Sequence, residues 1–76
     1  MDVRIGIAQS GQILEIELAE DADRDEVKAR LDAVLAGTEQ VLWLTDRKGK
    51  DTGVSAERVS FIELSSADTD RRIGFG

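Results

Sequence analysis

The side chains that most often carry catalysis are scarce in this sequence. Its 76 residues include no histidine and no cysteine, so two common general bases and nucleophiles are missing, together with the usual zinc ligands. Carboxylates are the remaining candidates. Glu15 and Glu17 would project from one face of a strand, about 7 Å apart, as solvated strand carboxylates usually do. The sequence therefore predicts no catalytic residues, no cofactor, no metal site and no enzymatic activity.

One segment, GKDTG at positions 49–53, superficially resembles a phosphate-binding loop. A Walker loop requires a glycine five positions before its Gly-Lys pair, a Ser or Thr directly after it, and then a helix. Here Leu44 occupies the first of these positions, Asp51 follows Lys50, and a strand is predicted next. The segment therefore predicts a hairpin turn with its lysines in solvent.

Composition and charge limit the class of protein and its partners. With 41% hydrophobic and 34% charged residues, the chain has the composition of one folded domain. Its net charge is −6; residues 1–39 hold ten acidic and four basic side chains, and residues 40–76 hold six of each. An acidic surface repels phosphate backbones, which disfavours nucleic acid as a partner. No segment has the length of a signal-peptide core or a membrane span, so we expect a cytoplasmic protein without membrane contact.

Two alternating segments open the chain. VRIGIA and ILEIEL, at positions 3–8 and 13–18, alternate apolar and other residues with a period of two. Gly11 between them suits a tight turn. The pattern predicts a β-hairpin with one buried face, which needs a cover because an isolated hairpin is only marginally stable.

The next segment predicts a helix over about residues 24–36. Asp23 stands three positions before Glu26, as in a capping box, and Gly37 suits the end of a helix. Glu26 and Arg30 have the i,i+4 spacing of a surface ion pair. The apolar stripe of this helix comprises Val27, Leu31, Val34 and Leu35.

Three further strands are predicted after the helix: VLWLT at 41–45, a weaker DTGVS at 51–55, and a strand from about Arg58 to Leu64. The resulting order is β-β-α-β-β-β. It predicts a single α+β domain over residues 1–76, with one helix packed on a mostly antiparallel five-stranded sheet.

The third and fifth predicted strands are apolar on both faces. Strict alternation places two leucines of the third strand, and Ile62 and Leu64 of the fifth, toward one side. One helix covers only one face, so the opposite side needs another cover: closure into a barrel, the C-terminal tail, or a second subunit. That opposite side comprises Val41, Trp43, Val59 and Phe61.

The last six residues, RRIGFG, place apolar side chains where a frayed tail would be polar. We expect this tail to be ordered, as a short edge strand or docked over the uncovered apolar face, in its own subunit or in a partner's. The predicted interface therefore comprises Val41, Trp43, Val59, Phe61, Arg71, Arg72, Ile73 and Phe75.

Four segments around one helix, VRIGIAQS, LTDRKGK, VSAERVSFIEL and RRIGFG, carry a resemblance over essentially the whole chain. The sequence resembles a family of small uncharacterised actinobacterial proteins of about this length that end in RR-[IV]-GFG. The family is a domain of unknown function, and some of its members carry the label "ATP-binding". Ser55 stands where relatives often have proline, at a strand boundary where proline would only stiffen the entry. The resemblance implies no established activity and no catalytic residues.

These observations predict a non-enzymatic protein-interaction module, either a homodimer or an adaptor that docks on a larger protein. The alternative is a small-ligand or nucleotide-binding protein in which Arg71 and Arg72, or Lys48 and Lys50, contact phosphates. An RNA-binding small barrel is disfavoured by the acidic charge. Conjugation in the manner of ubiquitin is disfavoured by the bulky aromatic residue within the final GFG.

Overall fold

The computed structural model describes residues 1–65. The predicted interface residues Arg71, Arg72, Ile73 and Phe75 lie outside this range. The described residues form β1 (Asp2–Ile7), β2 (Ile13–Glu17), α1 (Arg24–Leu35), β3 (Val41–Thr45), β4 (Asp51–Ser55) and β5 (Val59–Leu64), with a 3₁₀ turn at Ala56–Arg58. The α+β class and the order β-β-α-β-β-β are confirmed.

The five strands are divided between two antiparallel sheets, with orders β2-β1-β5 and β3-β4. The two sheets are connected by one bridge, between Leu18 and Asp46, beside which the Arg47 N–H donates to the Glu17 carbonyl at 2.9 Å. β2 and β3 therefore meet only at this end. Elsewhere, among the strands of residues 1–65, β3 has only β4 as a neighbour.

One core joins both sheets to the helix. Ile5 is fully buried and Leu42 is 2% exposed, and the two come from different sheets. The stripe predicted on the helix supplies three buried residues. Within residues 1–65, the buried hydrophobic residues of this core are Val3, Ile5, Ile16, Leu18, Val27, Leu31, Val34, Leu42, Leu44 and Val54.

Local signals define both ends of α1. Asp23 Oδ1 accepts from the backbone N–H groups of Asp25 at 3.0 Å and Glu26 at 3.3 Å, which satisfies two donors of the first turn. At the other end Gly37 has φ +82°, and its N–H donates to the Val34 carbonyl at 3.1 Å while the next residue bonds to Ala33 at 2.9 Å. This is a Schellman ending, which orients the chain for its return into β3.

The prediction that Val59 lies on the same face as Phe61 is wrong. Val59 packs against the core, whereas Phe61 is 41% exposed. The pairing of β1 with β5 explains the difference: Gly6 is opposite Phe61 but Ile7 is opposite Val59, so Ser60 is an extra residue. A β-bulge of this kind breaks the strict alternation of side chains, and Val59 therefore joins Ile7 on the core side.

Candidate protein-docking site

Within residues 1–65, the edge of β3 that faces away from β4 has no strand partner at Val41 and Trp43. Hydrogen bonds from Ala56 N to Gln40 O at 2.8 Å and from Asp46 N to Lys50 O at 2.9 Å show that the even-numbered positions of β3 pair with β4. In an antiparallel ladder the backbone groups alternate in direction. The N–H and C=O groups of Val41 and Trp43 therefore point away from β4, toward the edge.

Two large apolar side chains stand beside this open edge. Trp43, the single tryptophan of the chain, is 57% exposed, and Val41 is 45% exposed. The Trp43 ring lies over Gly53, its cross-strand neighbour on β4, where a β-carbon would come within 2.8 Å of the ring. The glycine therefore leaves room for the ring to lie against β4. Barrel closure, one of the three predicted covers, would have buried these side chains.

A groove separates the β3 edge from α1 and has a volume of about 490 Å³. Two alanines, Ala29 and Ala33, lie along its helix wall, and their short side chains leave the space open. The other lining residues are Glu26, Arg30, Val34, Glu39, Val41, Leu42 and Trp43. Apolar walls with a few polar groups and a strand edge make a suitable surface for an extended peptide.

Arg30 crosses this groove. Its Nη2 donates to the backbone carbonyl of Trp43, one of the edge groups that β4 leaves unpaired. The sequence predicted a surface pair between Arg30 and Glu26; the guanidinium instead reaches the strand, since the alanine-lined gap lets a long side chain cross. Charged side chains that block open edges are a known protection against unwanted strand pairing.

The charges around the groove are mixed, with Glu26 and Glu39 on its walls and Arg30 already bonded to Trp43. The two carboxylates are exposed. A basic segment would therefore meet opposite charge at this site, and an acidic segment would be repelled.

Phe61 belongs to a second apolar site on the other sheet. Its ring covers Gly6 of β1. Ile13 of β2, which is 44% exposed, is the cross-strand partner of Gly6 on the opposite side of β1 from β5. The continuous patch predicted from Val41, Trp43, Val59 and Phe61 is therefore divided: Val41 and Trp43 lie on β3, Phe61 lies on β5, and Val59 faces the core. The bulge at Ser60 and the division into two sheets are both long-range features, which strand alternation does not reveal.

The turn at positions 46–50, considered for phosphate contacts, uses its own donors internally. The backbone N–H groups of Lys48 and Lys50 both donate to Asp46 Oδ1 at 2.9 Å. The hydrogen bond from the Lys50 N–H is the main cause that holds the pKa of Asp46 below its ordinary value. Desolvation opposes it, and the Lys48 N–H bond and the two lysine charges add to the lowering. A carboxylate therefore occupies the position where these amides would hold a phosphate.

Within residues 1–65, no group of three or more potential metal-ligating side chains comes together. Over the same residues, no helix has the length and apolar character needed to cross a membrane.

Comparison with known proteins gives a family but no activity. No curated protein matches the chain. The predicted similarity to a domain of unknown function is confirmed over the full length. The family model described as "protein of unknown function (DUF3107)" matches residues 1–76, and the chain therefore belongs to that family.

Proposed function

We propose that this chain is a non-enzymatic protein-interaction module that binds an extended segment of a protein partner at the open edge of β3. The observation that carries the proposal is the position of Trp43. Its backbone N–H and C=O lie on the edge of β3 that β4 leaves unpaired, its side chain is 57% exposed, and both border the groove along α1.

Strand addition suits this combination of features. Backbone groups on an open edge supply hydrogen bonds regardless of sequence, while neighbouring side chains select the partner. Tryptophan is among the residues most enriched at binding hot spots. Here it lies against Gly53, which limits the rotamer entropy that the side chain loses on binding. The partner is a larger protein or a second copy of the chain, and the experiment below distinguishes them.

The test compares three forms of the full chain: wild type, Trp43→Ala, and Phe61→Ala as a matched control. Both variants remove a half-exposed aromatic ring that covers a glycine, but from different sheets. We expect affinity capture from the native host to recover a specific partner with the wild type and with Phe61→Ala, and to lose it with Trp43→Ala. Light scattering of the purified chain would show a dimer if the partner is a second copy of the 8.3 kDa chain.

Two results would contradict the proposal. One is that Trp43→Ala captures the same proteins as the wild type. The other is a wild-type chain that stays monomeric and captures no specific partner.

Binding of a nucleotide or another small ligand is the second candidate, and we place it after protein binding. The amides of Lys48 and Lys50 are bonded to Asp46, and the groove has two carboxylates on its walls. Both features disfavour a phosphate. Titration with ATP, followed by amide chemical shifts, tests this alternative; shifts that saturate around positions 46–50 would favour it.

The predicted cytoplasmic location and actinobacterial origin accompany this proposal and stay predictions. Fractionation of the native host, with an antibody against the chain, would test the location.

A further inference from the structure

We infer that the groove between α1 and β3 is the docking site for the chain's own residues 71–76, RRIGFG, which add to the β3 edge as an extended strand. The inference rests on the proposed function, because a partner segment would use the same edge and would have to displace the tail. It also specifies the kind of partner that fits: an extended segment with arginines followed by alternating apolar residues.

The described chain ends close to the entrance of the groove. The Ser65 carbonyl accepts from Arg24 Nε at 3.4 Å, so Ser65 lies beside the first residue of α1. Glu26, which lines the groove, is two positions after Arg24 in α1. The intervening residues 66–70 can span about 17 Å when extended, and a helix with its side chains is about 10–12 Å across. The linker is therefore long enough to pass the start of α1.

The direction of the tail also suits the edge. α1 ends near Glu39 and Val41, and β3 then returns along the helix, so that Trp43 lies beside Arg30. A segment that enters at the beginning of α1 therefore runs opposite to β3. Antiparallel pairing is slightly more stable per residue than parallel pairing.

Charge favours this segment over the rest of the chain. Residues 1–65 hold fourteen acidic and eight basic side chains, whereas residues 71–76 hold two arginines and no acidic side chain. Arg71 and Arg72 would enter the groove first, at the end where Glu26 lies. Opposite charges at an entrance favour association and fix the register of the strand.

The apolar residues of the tail match the groove walls. Ile73 and Phe75 are two positions apart, so both side chains lie on one side of an extended strand. Facing the helix, they would fill the space that Ala29 and Ala33 leave open. Arg30 must then release the Trp43 carbonyl, which would accept a tail N–H instead.

Amide hydrogen exchange of the full chain, measured by NMR, tests the inference. We expect the Val41 and Trp43 amides, which point away from β4, to exchange at least about tenfold more slowly in the wild type than in an Ile73→Asp/Phe75→Asp variant. The Leu42 and Leu44 amides pair with β4 and should keep the same rates in both proteins. They serve as an internal control for folding.

A second variant, Arg71→Glu/Arg72→Glu, retains the apolar side chains and tests the charge contribution. We expect partial loss of protection at Val41 and Trp43, with recovery in a chain that also carries Glu26→Lys. The matched control is Glu20→Lys in place of Glu26→Lys, because Glu20 is exposed but does not line the groove; it should give no recovery.

Two outcomes would overturn the inference. One is equal exchange at Val41 and Trp43 in the wild type and the Ile73→Asp/Phe75→Asp variant. The other is protection that rises with protein concentration, which would assign the edge to a second copy. If the edge is unprotected but Trp43→Ala still abolishes partner capture, tail docking is wrong and the proposed function stands.

Discussion

The ring of Phe61 lies over Gly6, its cross-strand neighbour on β1, and leaves no room there for a β-carbon. A β-carbon at Gly6 would also come within 2.8 Å of Ser60 Oγ. Trp43 and Gly53 repeat the relationship on the other sheet. In both pairs an aromatic ring on the outer face covers a strand glycine, an arrangement that offsets the weak strand propensity of glycine.

This relationship predicts that the effect of Gly6→Ala on the free energy of unfolding changes sign when the Phe61 ring is removed. We expect Gly6→Ala to destabilise the wild-type chain by about 1–2 kcal/mol, because the methyl group displaces the Phe61 ring. In a Phe61→Ala background the same substitution should stabilise the chain by about 0.5–1 kcal/mol, since alanine restricts the unfolded backbone and the Ser60 hydroxyl can rotate away from the new methyl group. Urea unfolding of the four proteins measures both effects. The same sign in both backgrounds would show that the ring does not determine the cost.

Alanine substitutions at two neighbouring residues of β3 should have different effects on stability, because one side chain is in the core and the other is on the proposed binding surface. Leu42 is 2% exposed and Trp43 is 57% exposed. Leu42→Ala should lower the free energy of unfolding by about 2–5 kcal/mol, whereas Trp43→Ala should lower it by less than about 1 kcal/mol. Chemical denaturation followed by far-UV circular dichroism gives both values. A cost for Trp43→Ala as large as that for Leu42→Ala would mean that the tryptophan is structural.

Because of the bulge in β5, an aspartate should destabilise the chain strongly at Val59 but only weakly at Phe61, two positions later. Val59 packs against the core and Phe61 faces outward. Val59→Asp should therefore cost about 3 kcal/mol of unfolding free energy, because it places a carboxylate among apolar side chains. Phe61→Asp should cost about 1 kcal/mol, mainly through loss of the ring over Gly6. Similar costs at both positions would indicate that β5 has no bulge in solution.

Local patterns predicted most of this fold. The helix was expected over about 24–36 and is observed at Arg24–Leu35, because its cap at Asp23 and its ending at Gly37 are encoded within a few residues. The alternation in VLWLT likewise identified Leu42 and Leu44 as core and Val41 and Trp43 as the other face. These features depend on contacts close in sequence, and short-range rules describe such contacts well.

The predictions that failed depend on contacts distant in sequence. The side chain of Val59 changes face because β5 pairs with β1 through a bulge, and neither strand alone encodes that register. The reach of Arg30 to the Trp43 carbonyl requires the groove, which exists only after α1 and β3 pack together. A stripe of alanines on the helix was the available signal, since small side chains on a helix flank leave space beside it.

Acid should loosen the turn that joins β3 to β4. The N–H bonds from Lys50 and Lys48 hold the pKa of Asp46 below its ordinary value, so the ionised form is favoured in the folded state. The resulting stabilisation is complete above the ordinary aspartate pKa of about 3.9 and is lost as the pH falls through the lower, folded-state value. Amide shifts of Lys48 and Lys50 should report one transition below about pH 3.9. Asp46→Asn, which keeps an acceptor but does not ionise, should abolish it; persistence of the transition in that variant would assign it elsewhere.

Arg30 competes for the edge that a bound strand needs, and its removal should strengthen binding. The Nη2 of Arg30 donates to the Trp43 carbonyl, and an added strand must replace that bond with its own N–H. A net hydrogen bond contributes about 1 kcal/mol, so Arg30→Ala should raise the affinity for an extended segment by about fivefold. A synthetic RRIGFG peptide titrated into the Ile73→Asp/Phe75→Asp chain, whose own tail cannot compete for the edge, measures the change, with Trp43 fluorescence as the signal. Lys28→Ala is the matched control, because Lys28 bonds to Asp32 at 3.4 Å and does not line the groove. Weaker peptide binding by Arg30→Ala would mean that the arginine holds the segment and does not compete with it.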